Sequence, residues 1–216
     1  MSPRTRIFSA ITLAAALAGC SREGELVIDQ GVGITAVLSS CPDVGIPDYT
    51  GDVTLFRSAG APTADNIDVV ASMTNLRHTC DETGEKVYTA ASFDVLARRT
   101  DTRGARQVTL PFFSTVVRGG TAVQAKRIGQ VTINFADGAE RAQASAQTSS
   151  YITRSEATLP ADIQERITRK REPGDPDAAL DPLSDPQVRA AIQRTSFELL
   201  VGFQLTEQQL AYNVTR

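Results

Sequence analysis

Few side chains in this sequence are of the types that carry out catalysis, and their spacing forms no familiar catalytic motif. His78 is the one histidine among 216 residues, and no serine lies in a Gly-x-Ser-x-Gly sequence that would hold a nucleophile on a sharp turn. Serine hydrolysis needs such a nucleophile together with a base. We therefore predict that the chain is not a serine hydrolase.

Acidic residues give the next candidates, because paired carboxylates can serve glycoside hydrolysis or calcium binding. The close pairs are Asp65 and Asp68, Asp81 and Glu82, and Asp175 and Asp177. All of them fall in turn-like or linker-like sequence, where acids are usually solvated, and no Asp-x-Asp-x-Asp-Gly loop is present. Gly119 and Gly120 stand between predicted strands, which favours a hairpin turn over a phosphate-binding loop.

A metal site would have to use Cys41, Cys80 and His78. Tetrahedral sites need four ligands, or three and a water, and the sequence has no Cys-x-x-Cys pair and no second histidine. We predict no metal, no cofactor and no enzymatic activity.

The amino terminus has the layout of a secretory signal. Arg4 and Arg6 are followed by an apolar stretch over residues 7–17, and the small residues Ala18 and Gly19 stand directly before Cys20. The stretch of 11 residues is too short to span a bilayer, which takes about 20 apolar residues. We predict that residues 1–19 are a signal peptide that is removed.

The sequence Leu17-Ala18-Gly19-Cys20 resembles a bacterial lipobox. The resemblance implies cleavage between Gly19 and Cys20, lipidation of Cys20 and permanent anchoring in a membrane. Ser21 at the second mature position implies the outer membrane, on its periplasmic side. The alternative is an ordinary cleaved signal in which Cys20 happens to lie near the cut.

Charge and cysteine usage constrain the mature chain. Residues 1–19 hold two arginines and no acid, so the net charge of −3 for the whole chain becomes −5, which disfavours nucleic acid as a partner. With Cys20 assigned to lipid, two cysteines remain in an oxidising compartment, and we predict a Cys41–Cys80 disulfide. Two buried free thiols are the alternative.

Most of the mature chain shows the two-residue alternation and turn punctuation of β-strands. Strands are predicted over residues 32–38, 53–56, 67–73, 86–99, 107–117 and 124–135. Short strands at this spacing, without helices long enough for parallel crossovers, predict an antiparallel β-sandwich. We expect a lipidated tether over residues 20–30 and a single domain over residues 31–216.

The carboxyl-terminal part adds one or two short helices to this pattern. A helix is predicted over residues 160–171, and a second begins at Pro186 with Ser184 or Asp185 as its cap. The acidic, proline-rich segment 172–186 between them is predicted to be a mobile loop. A strand over residues 196–205 and a capping box at Thr206 and Gln209 follow.

Residues 201–213, together with the cysteine pair, resemble a family of uncharacterised bacterial envelope lipoproteins with an immunoglobulin- or fibronectin-like domain. The resemblance implies a location and a fold, and no reaction.

Two functions follow as hypotheses. The first is a non-catalytic interaction or structural module that docks an envelope protein through a sheet edge or the acidic loop. The second is a periplasmic small-ligand binder or enzyme whose site is assembled from loops, which a deep apolar pocket with convergent polar groups would favour.

Overall fold

The computed structural model describes residues 36, 38–59 and 62–215, and this part of the chain is mainly β. Its strands are β1 (Asp43–Gly45), β2 (Asp52–Phe56), β3 (Ile67–Asp81), β4 (Lys86–Arg99), β5 (Arg106–Arg118), β6 (Ala122–Phe135), β7 (Arg141–Thr153) and β8 (Phe197–Phe203). Its α-helices are α1 (Ala161–Thr168), α2 (Pro186–Thr195) and α3 (Glu207–Thr215). The predicted signal peptide 1–19, the tether 20–30 and the cleavage-site residues Gly19 and Cys20 lie outside the described residues.

The strands form two four-stranded sheets, with orders β1-β8-β5-β6 and β2-β3-β4-β7. Neighbouring strands are antiparallel except for the short edge strand β1, which pairs with β8 in parallel. The predicted strand over residues 86–99 has the bounds of β4. The one predicted over residues 67–73 continues to Asp81 in β3. Of the strand predicted over residues 32–38, Ala36 and Leu38 are described, and neither lies in a strand.

The two sheets face each other in a sandwich-like arrangement around one apolar core. Inward side chains alternate with outward ones along β4, from Val87 to Ala97, because successive side chains of a pleated strand point to opposite faces. The Phe93 ring of β4 meets the Phe112 ring of β5 edge to face, with centroids 5.1 Å apart. The buried hydrophobic residues of both sheets belong to the same cluster, so the core lies between the sheets.

The core also requires a glycine at one position of β6. A Cβ atom added to Gly129 would lie 2.4 Å from Cζ of Phe112, which is closer than any real contact of that kind. The Phe112 ring therefore lies across the backbone of β6 and contacts Phe93 of the other sheet only because residue 129 lacks a side chain.

Strand β7 is absent from the sequence-based prediction. In its first half the inward positions are the small residues Ala142, Ala144 and Ala146, which are only partly buried, and the outward positions are polar. Alanine, serine and glutamine have weak strand preferences, so the segment lacks the contrast between apolar and polar residues that marks a strand. Pairing with β4 along its whole length supplies what the local sequence does not.

Arg99, at the end of β4, is a fully buried cation that joins the connections between the two sheets. Its side chain is 1% exposed, and its guanidinium donates four hydrogen bonds of 2.8 Å to backbone carbonyl oxygens. Two acceptors, Thr102 and Gly104, lie in the β4–β5 connection, and two, Ala136 and Ala139, lie in the β6–β7 connection. Because both connections cross from one sheet to the other, Arg99 ties the sheets together at this end.

Asp68 and Arg106 form a second tie at the same end. Asp68 is the second residue of β3 in one sheet, and Arg106 is the first residue of β5 in the other. The Arg106 guanidinium donates to both carboxylate oxygens of Asp68, at 2.7 and 2.6 Å. The hydrogen bond from Arg106 lowers the pKa of Asp68 from its ordinary value of 3.8, against the opposing effect of burial. Two parallel hydrogen bonds of this kind fix the relative orientation of the two strands.

The helices extend the sheets with a second, smaller core. Ile163 and Ile167 of α1 pack with Val188 and Ala191 of α2. The predicted cap is confirmed at Asp185, whose carboxylate accepts from the N–H groups of Gln187 and Val188. The predicted capping box is also confirmed, since Thr206 and Gln209 exchange hydrogen bonds of 2.8 and 3.2 Å. Helix α3 lies against β2, where the Tyr212 and Phe56 rings meet edge to face.

We predict that Arg99→Gln lowers the free energy of unfolding by about 3 kcal/mol, because buried carbonyl groups lose charged donors. Urea unfolding followed by far-UV circular dichroism measures this change. Arg103→Gln is the matched control in the same connection, where solvent screens the exposed ion pair with Asp101 and the substitution should change the stability little. Equal effects of the two substitutions would contradict the role assigned to Arg99.

We predict that Asp68→Asn lowers stability at pH 7 by about 1 kcal/mol and that its difference from wild type vanishes in acid. A carboxylate whose pKa is lowered by folding stabilises the fold fully above about pH 5, and this stabilisation is lost as the pH falls below 3.8. Urea unfolding between pH 7 and pH 3 tests this prediction, with the exposed Asp48→Asn as control. A difference that stays constant over this range would be evidence against it.

Candidate functional site

Cys41 and Cys80 are joined by a disulfide, as the cysteine usage predicted. Cys41 lies two residues before β1, Cys80 lies near the end of β3, and the bond therefore links the two sheets. The alternative of two free thiols is wrong, and a sulfur held in a disulfide is not available as a metal ligand. This bond lies at the opposite end of β4 from Arg99, since Cys80 pairs with Thr89 while Val69 pairs with Arg99.

The segment that precedes β1 is fixed at this disulfide end by further contacts. Oε2 of Glu82 accepts hydrogen bonds from the Ser39 hydroxyl at 3.0 Å and from the Ser40 N–H at 2.9 Å. The N–H of Ala36 donates to the carbonyl oxygen of Ile167, the last buried residue of α1, at 3.0 Å. The chain therefore enters the described domain beside α1 and the disulfide.

A cavity of about 500 Å³ lies at this end, between the entering segment, α1 and the α2–β8 junction. Ile167 and Phe197 form an apolar floor, and Glu82, Arg154 and Thr168 supply polar groups at its rim. The Glu82 carboxylate already accepts two hydrogen bonds from the entering segment, so its contacts fix that segment in place. The rim residues are exposed, so the cavity opens to solvent.

The fold does not bring together the residues that were considered as catalytic candidates, namely His78 and the close acidic pairs. His78 is exposed on β3 opposite Ala91 and does not line the cavity. Each close acidic pair has a member with a local hydrogen-bond partner: Asp68 with Arg106, Asp81 with Thr83, and Asp177 with Arg169. Within the described residues there is no cluster of three or more His, Cys, Asp or Glu that could hold a metal ion.

A cluster of basic residues at and just after the end of α1 forms ion pairs with the acidic segment 172–186; its members are Arg166, Arg169 and Arg171. Arg166 pairs with Asp185, and Arg169 contacts Asp177 at 2.7 Å. Arg171, which is buried, approaches the same Asp177 at 3.3 Å. The hydrogen bond from Arg169 lowers the pKa of Asp177. Asp177 and Asp185 therefore form ion pairs with basic residues of their own chain. The mobility of the segment stays a prediction.

The outward face of β4 and β7 is an open surface that could not be predicted from the sequence, because β7 was not predicted as a strand. Tyr88 pairs with Tyr151 at the disulfide end, and their ring centroids are 4.8 Å apart. In the middle, Asp94 accepts hydrogen bonds of 2.7 Å from Asn75 and Ser145. At the Arg99 end, the outward residues are Leu96 and Gln143, then Arg98 and Arg141. Tyrosine, serine, asparagine and arginine are the side chains that adaptable binding surfaces use.

The predicted docking through a sheet edge has two long strands available. Within the described range, β6 and β7 each have a sheet neighbour on one side only. The first half of β6, from Ala122 to Ile128, is exposed throughout and carries Lys126 and Arg127. The edge of β2 differs, because α3 packs against that strand.

The helices of the described part are all short, with α2 the longest at 10 residues. None of those described has the length and apolar character that crossing a membrane takes. Comparison of the chain with protein-family models, with curated proteins and with solved structures finds no match.

We predict that the double substitution Cys41→Ser and Cys80→Ser lowers the free energy of unfolding by about 2–4 kcal/mol, because the unfolded chain gains the freedom of the opened loop. Urea unfolding measures the change. Reductant should lower the stability of the wild type to that of the variant and leave the variant unchanged. A wild type that is insensitive to reductant under unfolding conditions would contradict a stabilising disulfide.

Proposed function

We propose that this chain is a lipid-anchored bacterial envelope protein whose immunoglobulin- or fibronectin-like sandwich is a non-catalytic interaction or structural module. The observation that carries this proposal is the open face of β4 and β7, which runs from the end where the chain enters to the opposite end. The two facing sheets and the disulfide between them support the proposed fold type.

The geometry of chain entry fits a membrane anchor at Cys20. From Cys20 to Ala36 the chain can reach at most about 55 Å, from about 3.4 Å per residue. The disulfide end is the end of the domain at which the chain from Cys20 enters. Strand β4 carries the outward face about 43 Å further, at about 3.3 Å per residue.

The proposed location follows from the lipobox resemblance and from Ser21, which together favour the periplasmic side of the outer membrane. The net charge of −5 for the mature chain supports a partner other than nucleic acid. A non-catalytic role is supported by the way the potential catalytic groups are spread over the domain, with His78 on β3 and Glu82 tied to the entering segment.

The second candidate is a small-ligand binder or enzyme at the disulfide end. The cavity of about 500 Å³ falls within the range of about 300–1,000 Å³ that ligand sites occupy, and Arg154 at its rim could hold an acidic group. Its open rim and its contacts with the entering segment favour it less than the exposed sheet face. Thermal-shift screening of small anions against wild type and Arg154→Gln separates the two functions.

We predict that Cys20→Ser moves the protein from the membrane fraction to the soluble periplasm, because the variant has no thiol to receive a lipid. Cell fractionation followed by immunoblotting measures the distribution, and mass spectrometry of the wild type should find acyl groups on Cys20. Ser21→Ala is the matched control and should stay in the membrane fraction. A Cys20→Ser protein that remains in the membranes would overturn the anchoring.

A further inference from the structure

We propose that the Arg98–Arg141 pair and Leu96 form a docking site for an extended, carboxylate-bearing segment of an envelope protein. This site lies on the outward face of β4 and β7, at the Arg99 end of the domain. The inference rests on the proposed function, because it names the partner chemistry of the same interaction module.

The first observation is a like-charged pair in register. Arg98 of β4 stands directly opposite Arg141 of β7, an arrangement that costs stability unless an anion relieves it. Among the described residues, the one acid within ion-pair distance of either arginine is Glu140, whose Oε1 lies 3.7 Å from Arg98 Nη1, with both side chains more than half exposed. Within the described part of the chain, the Arg141 side chain makes no ion pair and no hydrogen bond. The two guanidiniums therefore present an incompletely neutralised positive charge.

The second observation is an apolar contact beside the charges. Leu96 is 49% exposed in the next outward row, opposite Gln143. Together with Val70 and the two arginines, it lines a shallow depression of about 590 Å³. A partner that places a carboxylate between the guanidiniums and an apolar side chain on Leu96 would satisfy both features.

The third observation is rigidity beneath the site. The residue after Arg98 is the buried Arg99, whose four hydrogen bonds hold both crossing connections. The N–H of Arg99 also donates to the carbonyl oxygen of Glu140, which precedes Arg141, at 2.9 Å. The backbone on both sides of the arginine pair is thus held in place, and a bound segment would not have to order it.

An extended segment fits this site better than a polyanion does. Among the described strands β7 hydrogen-bonds to β4 alone, and β6 lies close to it without pairing. An added segment could hydrogen-bond to unpaired backbone groups of β7 while its side chains reach the arginines. Lipopolysaccharide and other polyanions would meet the negative field of a chain with net charge −5, whereas one or two carboxylates would respond mainly to the local pair.

The test uses the Cys20→Ser protein and a displayed library of random nine-residue peptides. Selection on this protein should enrich peptides in which Asp or Glu alternates with apolar residues, and the enrichment should disappear with the double variant R98Q/R141Q. The matched control is K126Q/R127Q, which removes two cations from the exposed half of β6 and should retain the enrichment. By fluorescence anisotropy, a selected peptide should bind R98Q/R141Q at least tenfold more weakly than the parent.

A stability measurement accompanies the selection. Arg141→Gln should raise Tm by about 1–3 °C, because it removes the cross-strand repulsion. If Arg141→Gln both raises the stability and weakens peptide binding, the result indicates that Arg141 serves binding at a cost in stability. An unchanged or lowered Tm would contradict the repulsion on which the proposal rests.

The other outcomes overturn the proposal. They are selected peptides without acidic enrichment, equal losses in R98Q/R141Q and K126Q/R127Q, or heparin binding that depends on the arginine pair in the absence of acidic peptides. Because this test uses the unlipidated protein, it is separate from the anchoring. If the wild type is in the membrane fraction but the selected peptides are not enriched in acidic residues, only the docking site is contradicted. If the peptides are enriched in acidic residues but the wild type is soluble, only the anchoring is contradicted.

Discussion

The two connections that cross between the sheets are tied together by the buried charge of Arg99, which has no carboxylate partner within the described residues. Arg99 places its guanidinium among four carbonyl oxygens, two from each connection that crosses between the sheets. A cation removed from water is tolerated only where dipoles of this kind replace its hydration. The same contacts determine where β7 starts, since Arg99 also holds the backbone of Glu140. The Arg99 end of the outward face shared by β4 and β7 is therefore held by this interaction.

The opposite end of the domain is organised by covalent and polar contacts. The Cys41–Cys80 disulfide and the Glu82 carboxylate hold the entering segment against the sheets. The domain thus has one end that receives the chain and another that is rigid and positively charged on its outer face. In a protein that we propose to be anchored at Cys20, the end where the tether enters and the proposed docking site are separated by the length of β4. Function would then require no movement within the domain.

Sequence reasoning was most accurate where local patterns decide the structure. The bounds of β4 follow from alternating side chains, the start of α2 from Asp185 and Pro186, and the turn before α3 from Thr206 and Gln209. It failed at β7, whose alanines bury too little surface to mark a strand. Because β7 was not predicted, the sequence indicated neither the open face nor the pairing of Arg98 with Arg141. The candidate docking site could therefore not be predicted from the sequence.

The sequence by itself determined the elements whose signals lie within a few residues of one another, namely alternating strands, helix caps and hairpin turns. It also determined the disulfide, because two cysteines remained to pair once Cys20 was assigned. Only the tertiary structure decided that Arg99 is buried while Arg98 is exposed, and that Arg98 meets Arg141. Strand register is set by packing between segments distant in sequence, and a shift of one residue would turn each side chain to the opposite face.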